Sequence, residues 1–279
     1  MLIMVGCGVL FVAGLVAAVR WSGLRLSTPA AWERSDHPPA TEAMRRYLWW
    51  LTIATVTGLA AGLLVAGTGG RLVMRLLAVT SPESQGQLTE ADEVVGQISL
   101  GGTIGLIIFG GLIAGLLSSA LYVLIRWWLP AGRLGALVFG LLLLVLASTR
   151  LEPMRANNFD FTLVGPPWLA VLTFTALTLL HGLAVAGIAA RYSHSLPALS
   201  RRPSTLLRHT PLLLLLLVPP LAVVAIIAGI VFVIVSRLGA VSPSWSSRAL
   251  LTGRVVVAVV AVVALPGFVI AIGDVLAVT

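Results

Sequence analysis

Two arginines four positions apart, Arg71 and Arg75, form the densest ligand-binding pattern in the sequence. On a helix, residues at this spacing share one face. Residues 67–70 (Gly-Thr-Gly-Gly) directly precede them, and free N–H groups at a helix start suit a phosphate or carboxylate. The sequence therefore predicts a site for an anionic lipid headgroup or an anionic solute. The alternative is that both arginines pair with nearby carboxylates, namely Glu83, Glu90, Asp92 and Glu93.

His181 is the only one of four histidines that lies deep in a long apolar run. Counted from Pro167, it lies about 21 Å into a bilayer core of about 30 Å. An ionisable residue at this depth indicates a functional site. Pro219-Pro220 of the next run frees the carbonyls of Leu215 and Leu216 at a similar depth. We expect His181 to donate to such a carbonyl or to line a polar cavity there; the alternative is one helix–helix hydrogen bond.

Asp274 lies near the end of the last apolar run. It either pairs with Arg191 or Arg208 at the membrane surface or acts as a coupling carboxylate for transport. The same run contains Pro266-Gly267 near its middle. This dipeptide predicts either a simple kink or a broken helix that lines a binding site.

Missing residues exclude several chemistries. All eighteen basic residues are Arg, so the Lys Schiff base of a retinal pigment cannot form. One cysteine, Cys7, excludes an internal disulfide. A zinc-protease HExxH motif, a Walker A loop and a Gly-x-Ser-Gly context are absent, and a second deep histidine for haem is absent too. We therefore expect no cofactor and no metal ion, and enzymatic activity is disfavoured.

Composition defines the elements that must position these residues. The chain is 58% hydrophobic and 10% charged, with a mean hydropathy of +1.04. A soluble domain is about 25% charged, so the sequence predicts an integral membrane protein with lipid as its main partner. The net charge of +8 does not indicate nucleic acid, because the arginines separate apolar runs. Seven runs predict an all-α bundle of about seven transmembrane helices in a single membrane domain: 2–18, 47–67, 98–125, 134–148, 167–190, 211–235 and 255–277.

The distribution of arginine predicts the orientation. Eleven arginines fall in the connections after the first, third and fifth runs, and seven in the alternate connections. The positive-inside rule then predicts an outer N-terminus and an inner C-terminus. Absent Lys, scarce Asn and abundant Ala, Gly, Val and Arg match GC-rich codons. We expect a bacterial cytoplasmic (inner) membrane.

Glycine spacing predicts close helix packing. The third run has two GxxxG patterns, Gly101–Gly105 and Gly111–Gly115. Such patterns let backbones approach closely, either inside the bundle or with a second copy or a partner subunit.

Residues 62–71 and 182–191 match at six of ten positions. The match predicts a weak inverted repeat, with 47–148 and 167–277 as the two halves and residues 1–19 as a peripheral helix.

The function we favour from the sequence is a small transporter, a permease-like protein or the membrane subunit of a transport complex. The alternative is a non-catalytic membrane scaffold or assembly factor, because buried polar groups are few. A lipid-modifying enzyme ranks last, because no nucleophile–base pair is evident. A water-accessible cavity that reaches His181 would favour transport, and a closed bundle would favour the scaffold.

Overall fold

A computed structural model describes residues 1–29, 32, 39–150, 154–155, 158–237 and 247–277. The described residues form helices and no strand, apart from one isolated bridge between Leu88 and Val94. The helices are α1 (Leu2–Trp21), α2 (Pro39–Ala61), α3 (Thr68–Val79), α4 (Leu100–Gly105), α5 (Ala114–Ile125), α6 (Arg133–Leu146), α7 (Asp160–Leu163), α8 (Pro167–Ser193), α9 (Pro203–His209), α10 (Pro219–Arg237) and α11 (Ser247–Leu276). Two π-helical segments, π1 (Gly62–Gly67) and π2 (Leu106–Ile113), join α2 to α3 and α4 to α5. Short 3₁₀ helices cover Pro82–Ser84 and Thr210–Leu217.

Six helices of the described chain are long and apolar enough to cross a membrane. They are Leu2–Trp21, Ala40–Val79, Leu100–Ile125, Pro167–Ser193, Pro219–Arg237 and Ser247–Leu276. The short fourth run corresponds to α6, whose 14 residues extend only about 21 Å. The prediction of an all-α, multi-pass membrane bundle is confirmed.

The second helix is longer than predicted, because the glycines before Arg71 do not start a new helix. Residues Ala40–Val79 form one 40-residue helix through π1. Thr68 continues the helix and donates its hydroxyl to the Leu64 carbonyl, 2.9 Å away. A Cβ at Gly67 would lie 3.0 Å from the Ile107 Cα, and one at Gly69 would lie 2.8 Å from the Phe11 ring. These glycines therefore make room for neighbouring helices.

The predicted direction of the last helix is wrong. We call the end of the bundle with Trp128 the inner end and the end with Met154 the outer end, after the predicted orientation. Near the start of α11, Arg254 lines a small cavity together with Trp128. Near its end, Val275 packs in a cluster with Leu77 and Met154. The helix therefore runs from the inner to the outer end, and its C-terminal end lies at the end of the bundle where α1 begins.

The reversed direction of α11 agrees with the distribution of positive charge in the bundle. The prediction assumed that every apolar run crosses the membrane in alternation. In the structure, α10 packs against α2 through Tyr47, whose hydroxyl donates to the Ala225 carbonyl and whose ring contacts Phe232. Reversal of α11 moves Arg254 to the Arg-rich inner end, so the bias expected from the positive-inside rule becomes stronger.

The sixth helix also starts later than predicted, because a 3₁₀ segment occupies Thr210–Leu217.

Glycine contacts fix the crossing of α2 and α5. A Cβ at Gly62 would lie 2.5 Å from the Gly111 carbonyl oxygen, and one at Gly115 would lie 2.7 Å from the Gly62 Cα. Gly58 meets the Leu116 Cα at 2.7 Å in the same way. The second GxxxG pattern of the third run is therefore used inside the bundle.

The first GxxxG pattern remains open. A Cβ at Gly101 or Gly105 would meet nothing within 4 Å. A partner that packs on this part of the third run stays a prediction.

The centre of the bundle lies where α1, α2, α6 and α8 meet. Its buried cluster includes Ala18, Val65, Phe139 and Val185, which come from α1, π1, α6 and α8. The first helix, predicted to be peripheral, thus contributes to the core. By contrast, most of α10 and α11 is exposed, as expected for helices that face lipid.

Candidate functional site

A cavity of about 900 Å³ lies in the outer half of the bundle. Its walls come from π1 and α3, the connection 80–99, the helix that spans Leu100–Ile125, α6 and α8. Described residues between α6 and α8 complete the wall, namely Ala147, Ser148, Arg155, Asn158, Asp160 and Val164. Arg71 and His181 both line it, so two sites that the sequence placed apart belong to one space. Ser118 and Thr178 lie beside His181 at the deep end.

His181 is held by a hydrogen bond across two helices. Its Nε2 lies 2.8 Å from the Ser118 hydroxyl, which also donates to the Gly115 carbonyl at 3.0 Å. The expected partner was a carbonyl of the sixth run, and that part of the prediction is wrong, because the hydrogen bond is with α5. The Ala61 carbonyl faces the ring, but no hydrogen bond of acceptable geometry reaches Nδ1.

His181 therefore keeps one ring nitrogen without a described partner. The residue is only 7% exposed, and a buried polar atom without a hydrogen bond is unusual in a folded protein. His181 also lines the cavity, so a polar and incompletely bonded side chain belongs to its deep end.

Arg71 is a second side chain of the cavity wall with polar atoms that lack a partner among the described residues. It is 9% exposed, and its Nε and Nη2 make no hydrogen bond. The described residues provide no ion pair for it, so the alternative in which Arg71 pairs with a nearby carboxylate is absent from the described part of the chain. A buried charge without a counterion costs several kcal/mol.

Arg75 is engaged by the protein. Its Nη1 donates to the Gly96 carbonyl at 2.8 Å. Because Arg75 lies one helical turn from Arg71, it adds positive charge to the same wall of the cavity, but this donor is already used.

The carboxylates at the opening of the cavity are also engaged. Glu90 forms an ion pair with Arg155 at 2.7 Å. Glu93 accepts a hydrogen bond from the Ser99 hydroxyl at 2.7 Å, and Asp160 accepts one from the Glu90 N–H at 2.8 Å. This network closes the connection 80–99 onto α4 and onto the connection before α8.

The carboxyl group of Asp160 has a raised pKa. Burial raises its pKa above the ordinary value, and the charge of Glu90 acts in the same direction. The hydrogen bond from the Glu90 backbone and the charge of Arg155 oppose this shift. Asp160 therefore retains its proton to higher pH than an exposed aspartate.

Asp274 lies away from the cavity. The residue is exposed near the end of α11, next to the buried Val275. Since α11 ends at the outer end of the bundle, Arg191, on the last turn of α8, lies at the opposite end. The predicted pairing of Asp274 with Arg191 or Arg208 is absent among the described residues.

Two residues of the site escaped the sequence reasoning. Ser118 and Thr178 are small hydroxyl residues in long apolar helices, where they commonly bond to their own backbone. Thr178 does so, to the Phe174 carbonyl at 2.8 Å. The signal that could have found Ser118 is the pair Ser118-Ser119 on the helix that carries the GxxxG pattern, since that face must approach its neighbours.

The chain matches no known family model, and neither a curated protein nor a solved structure is similar to it. Within the described residues, no group of three His, Cys, Asp or Glu side chains could hold a metal ion. The geometry of the cavity is therefore the basis for its function.

Proposed function

We propose that the protein is a small membrane transport protein and that its substrate occupies the cavity between Arg71 and His181. The observation that carries this proposal is the cavity itself, which is about 900 Å³ and contains two buried polar side chains without full partners. Ligand pockets commonly measure about 300–1,000 Å³ and combine apolar walls with a few polar groups.

The state of Arg71 supports a ligand site over a pure scaffold. A scaffold would gain nothing from a buried guanidinium without a counterion, which lowers its stability. A binding protein would recover this cost when an anion arrives. The cavity also reaches His181, which is the feature that favours transport over a closed bundle.

The two π-helical segments support movement at the cavity wall. They face each other where α2 crosses α5, and Ala66 of π1 and Phe109 of π2 line the cavity. Segments of π-helix often occur at functional sites because some of their backbone groups lack regular partners. A shift between π and α geometry at this crossing would change the shape of the cavity.

The proposed setting is the cytoplasmic membrane of a bacterium, with the cavity open to the outer side. The Arg-rich inner end and the GC-type composition support this assignment. The substrate would enter from the outer side and leave toward the cytoplasm, or move in reverse.

Cysteine accessibility tests the proposal. Replacing Cys7, the only cysteine, with Ala gives a cysteine-free background. Thr178→Cys then places a thiol at the deep end of the cavity, and Thr57→Cys provides a matched control, because Thr57 is 0% exposed and does not line the cavity. A membrane-impermeant maleimide is applied from one side of sealed vesicles and then, in inverted vesicles, from the other.

A transporter exposes its site to each side in turn. We expect Thr178→Cys to react from the outer side and, at a lower rate, from the inner side, while Thr57→Cys reacts from neither. Reaction of Thr178→Cys from the outer side alone would assign the cavity to a binding protein and contradict transport. No reaction from either side would contradict an accessible cavity.

A further inference from the structure

We propose that the ligand of the cavity is an amphipathic anion, a molecule with one phosphate or carboxylate group on an apolar body. This inference rests on the proposed function, because it names the substrate class of the same cavity. The anionic group would lie against Arg71, and the apolar body would lie along the wall formed by π2 and α5.

Arg71 offers the binding partner for the anion. A guanidinium presents a rigid fork of donors that matches a carboxylate or phosphate group. The other cations of this wall are committed, Arg75 to the Gly96 carbonyl and Arg155 to Glu90. Among the described residues lining the cavity, Arg71 is the cation with buried donors, Nε and Nη2, that lack a hydrogen-bond partner.

The acidic side chains do not compete for Arg71. Glu90, Glu93 and Asp160 line the cavity and accept hydrogen bonds from other groups. Among the described residues, no carboxylate forms an ion pair with Arg71. An anion that entered would therefore meet one buried, unpaired guanidinium.

The remaining wall is apolar and partly open. Phe109, Ile113 and Leu117 line the cavity on one side, and Phe174 and Leu177 line it on the other. Phe109 is 71% exposed and Leu117 is 48% exposed, although both belong to a helix that is apolar enough to cross a membrane. A small inorganic anion would leave this apolar wall uncovered. The apolar body of an amphipathic anion would cover the wall and exclude water from it.

A set of three simple compounds separates these contributions. The full-length protein is placed in nanodiscs of zwitterionic phosphatidylcholine, and its thermal unfolding is followed at rising concentrations of decyl phosphate, inorganic phosphate or decanol. Decyl phosphate carries both the anion and the apolar body, and each of the other two carries one of them. Arg71→Gln removes the anion partner, and Arg150→Gln is the matched control, because Arg150 is exposed and does not line the cavity.

We expect decyl phosphate alone to stabilise the unaltered protein, because a ligand that binds the folded state raises the unfolding temperature. Arg71→Gln should raise the half-effective concentration of decyl phosphate about tenfold or more, as expected for a lost charge-assisted hydrogen bond pair. Arg150→Gln should change it less than about twofold, since surface substitutions have small effects.

Three results would overturn the inference. Equal stabilisation by decanol would exclude anion recognition, and equal stabilisation by inorganic phosphate would exclude a need for the apolar body. An unchanged response in Arg71→Gln would place the binding site elsewhere. Should Arg71→Gln fail to fold, the compound series on the unaltered protein still decides, together with Arg71→Lys, which keeps the charge and loses the fork.

The outcome is separable from that of the transport proposal. Decyl phosphate binding with labelling of Thr178→Cys from one side alone would retain the ligand class and reject transport. Two-sided labelling without a decyl phosphate effect would retain transport and reject the ligand class.

Discussion

The contact between α2 and α5 gives the sharpest test of the packing that shapes the cavity wall. Gly115 lies against the backbone of α2, and a Cβ there would be 2.7 Å from the Gly62 Cα. Carbon atoms pack best at about 3.5–4.0 Å, so Gly115→Ala requires the two helices to separate by about 1 Å. The opposing atoms belong to the backbone and cannot rotate away as a flexible side chain would.

The expected cost follows from this separation. Overpacking of a tight site destabilises by about 1–3 kcal/mol, and the contact with backbone atoms places Gly115→Ala in the upper part of this range. Alanine recovers about 1 kcal/mol over glycine in a helix. A net loss of about 1–2 kcal/mol in a chain of 279 residues corresponds to a fall of roughly 2–4 °C in the unfolding temperature.

Gly105→Ala is the matched control, because it lies on the same transmembrane helix and its Cβ would meet nothing within 4 Å. This variant should keep or slightly raise the unfolding temperature. Thermal unfolding of both variants, followed by circular dichroism, compares them directly. Equal stability of Gly115→Ala and Gly105→Ala would refute the close crossing of the two helices.

Three further predictions concern the site and the topology. Ser118→Ala should lower stability by about 1–3 kcal/mol in thermal unfolding, because His181 loses the partner of Nε2; an unchanged unfolding temperature would contradict the hydrogen bond. Since the pKa of Asp160 is raised in the folded chain, its contribution to stability is present at low pH and lost as pH rises through that pKa. Asp160→Asn should flatten the decline in unfolding temperature as the pH rises above about 4, and parallel curves for the two proteins would contradict a raised pKa of Asp160. In the cysteine-free background, Leu2→Cys and Ala277→Cys should react with an impermeant maleimide from the same side, and reaction from opposite sides would restore the originally predicted direction of α11.

Composition and hydropathy were sufficient to predict the helical membrane bundle. Hydropathy is a local property, and each apolar run of the chain became a helix or part of one. The positions of Arg71 and His181 were also selected from local patterns. Arg71 and His181 could be selected in this way because the cost of burying a charged or ionisable side chain in an apolar run does not depend on the fold.

The shared cavity could not be predicted, because it depends on how separate helices cross. Arg71 and His181 line the same cavity because α3 approaches α8, where Leu177 contacts Gly69. A glycine-rich segment predicts either a loop or a close contact, and only the neighbouring helices decide between them. The same limit applies to Ser118, whose role depends on the position of His181.

The direction of α11 could not be predicted for a related reason. The sequence predicts the direction of each helix from the number of membrane crossings that precede it. One run that is wrongly counted as a crossing therefore reverses the predicted direction of every later helix. Most of α10 is exposed, so its sequence resembles that of any lipid-facing helix. Contacts such as that between Gly253 and the Trp128 ring are required to establish the direction.

Protection of a thiol inside the cavity tests the central claim most directly. The labelling rate of Thr178→Cys is measured in nanodiscs with and without decyl phosphate, in proteins with Arg71 and with Arg71→Gln. We predict that decyl phosphate slows labelling when Arg71 is present and has little effect in Arg71→Gln. An unchanged labelling rate in the protein with Arg71 would contradict a ligand site between Arg71 and His181.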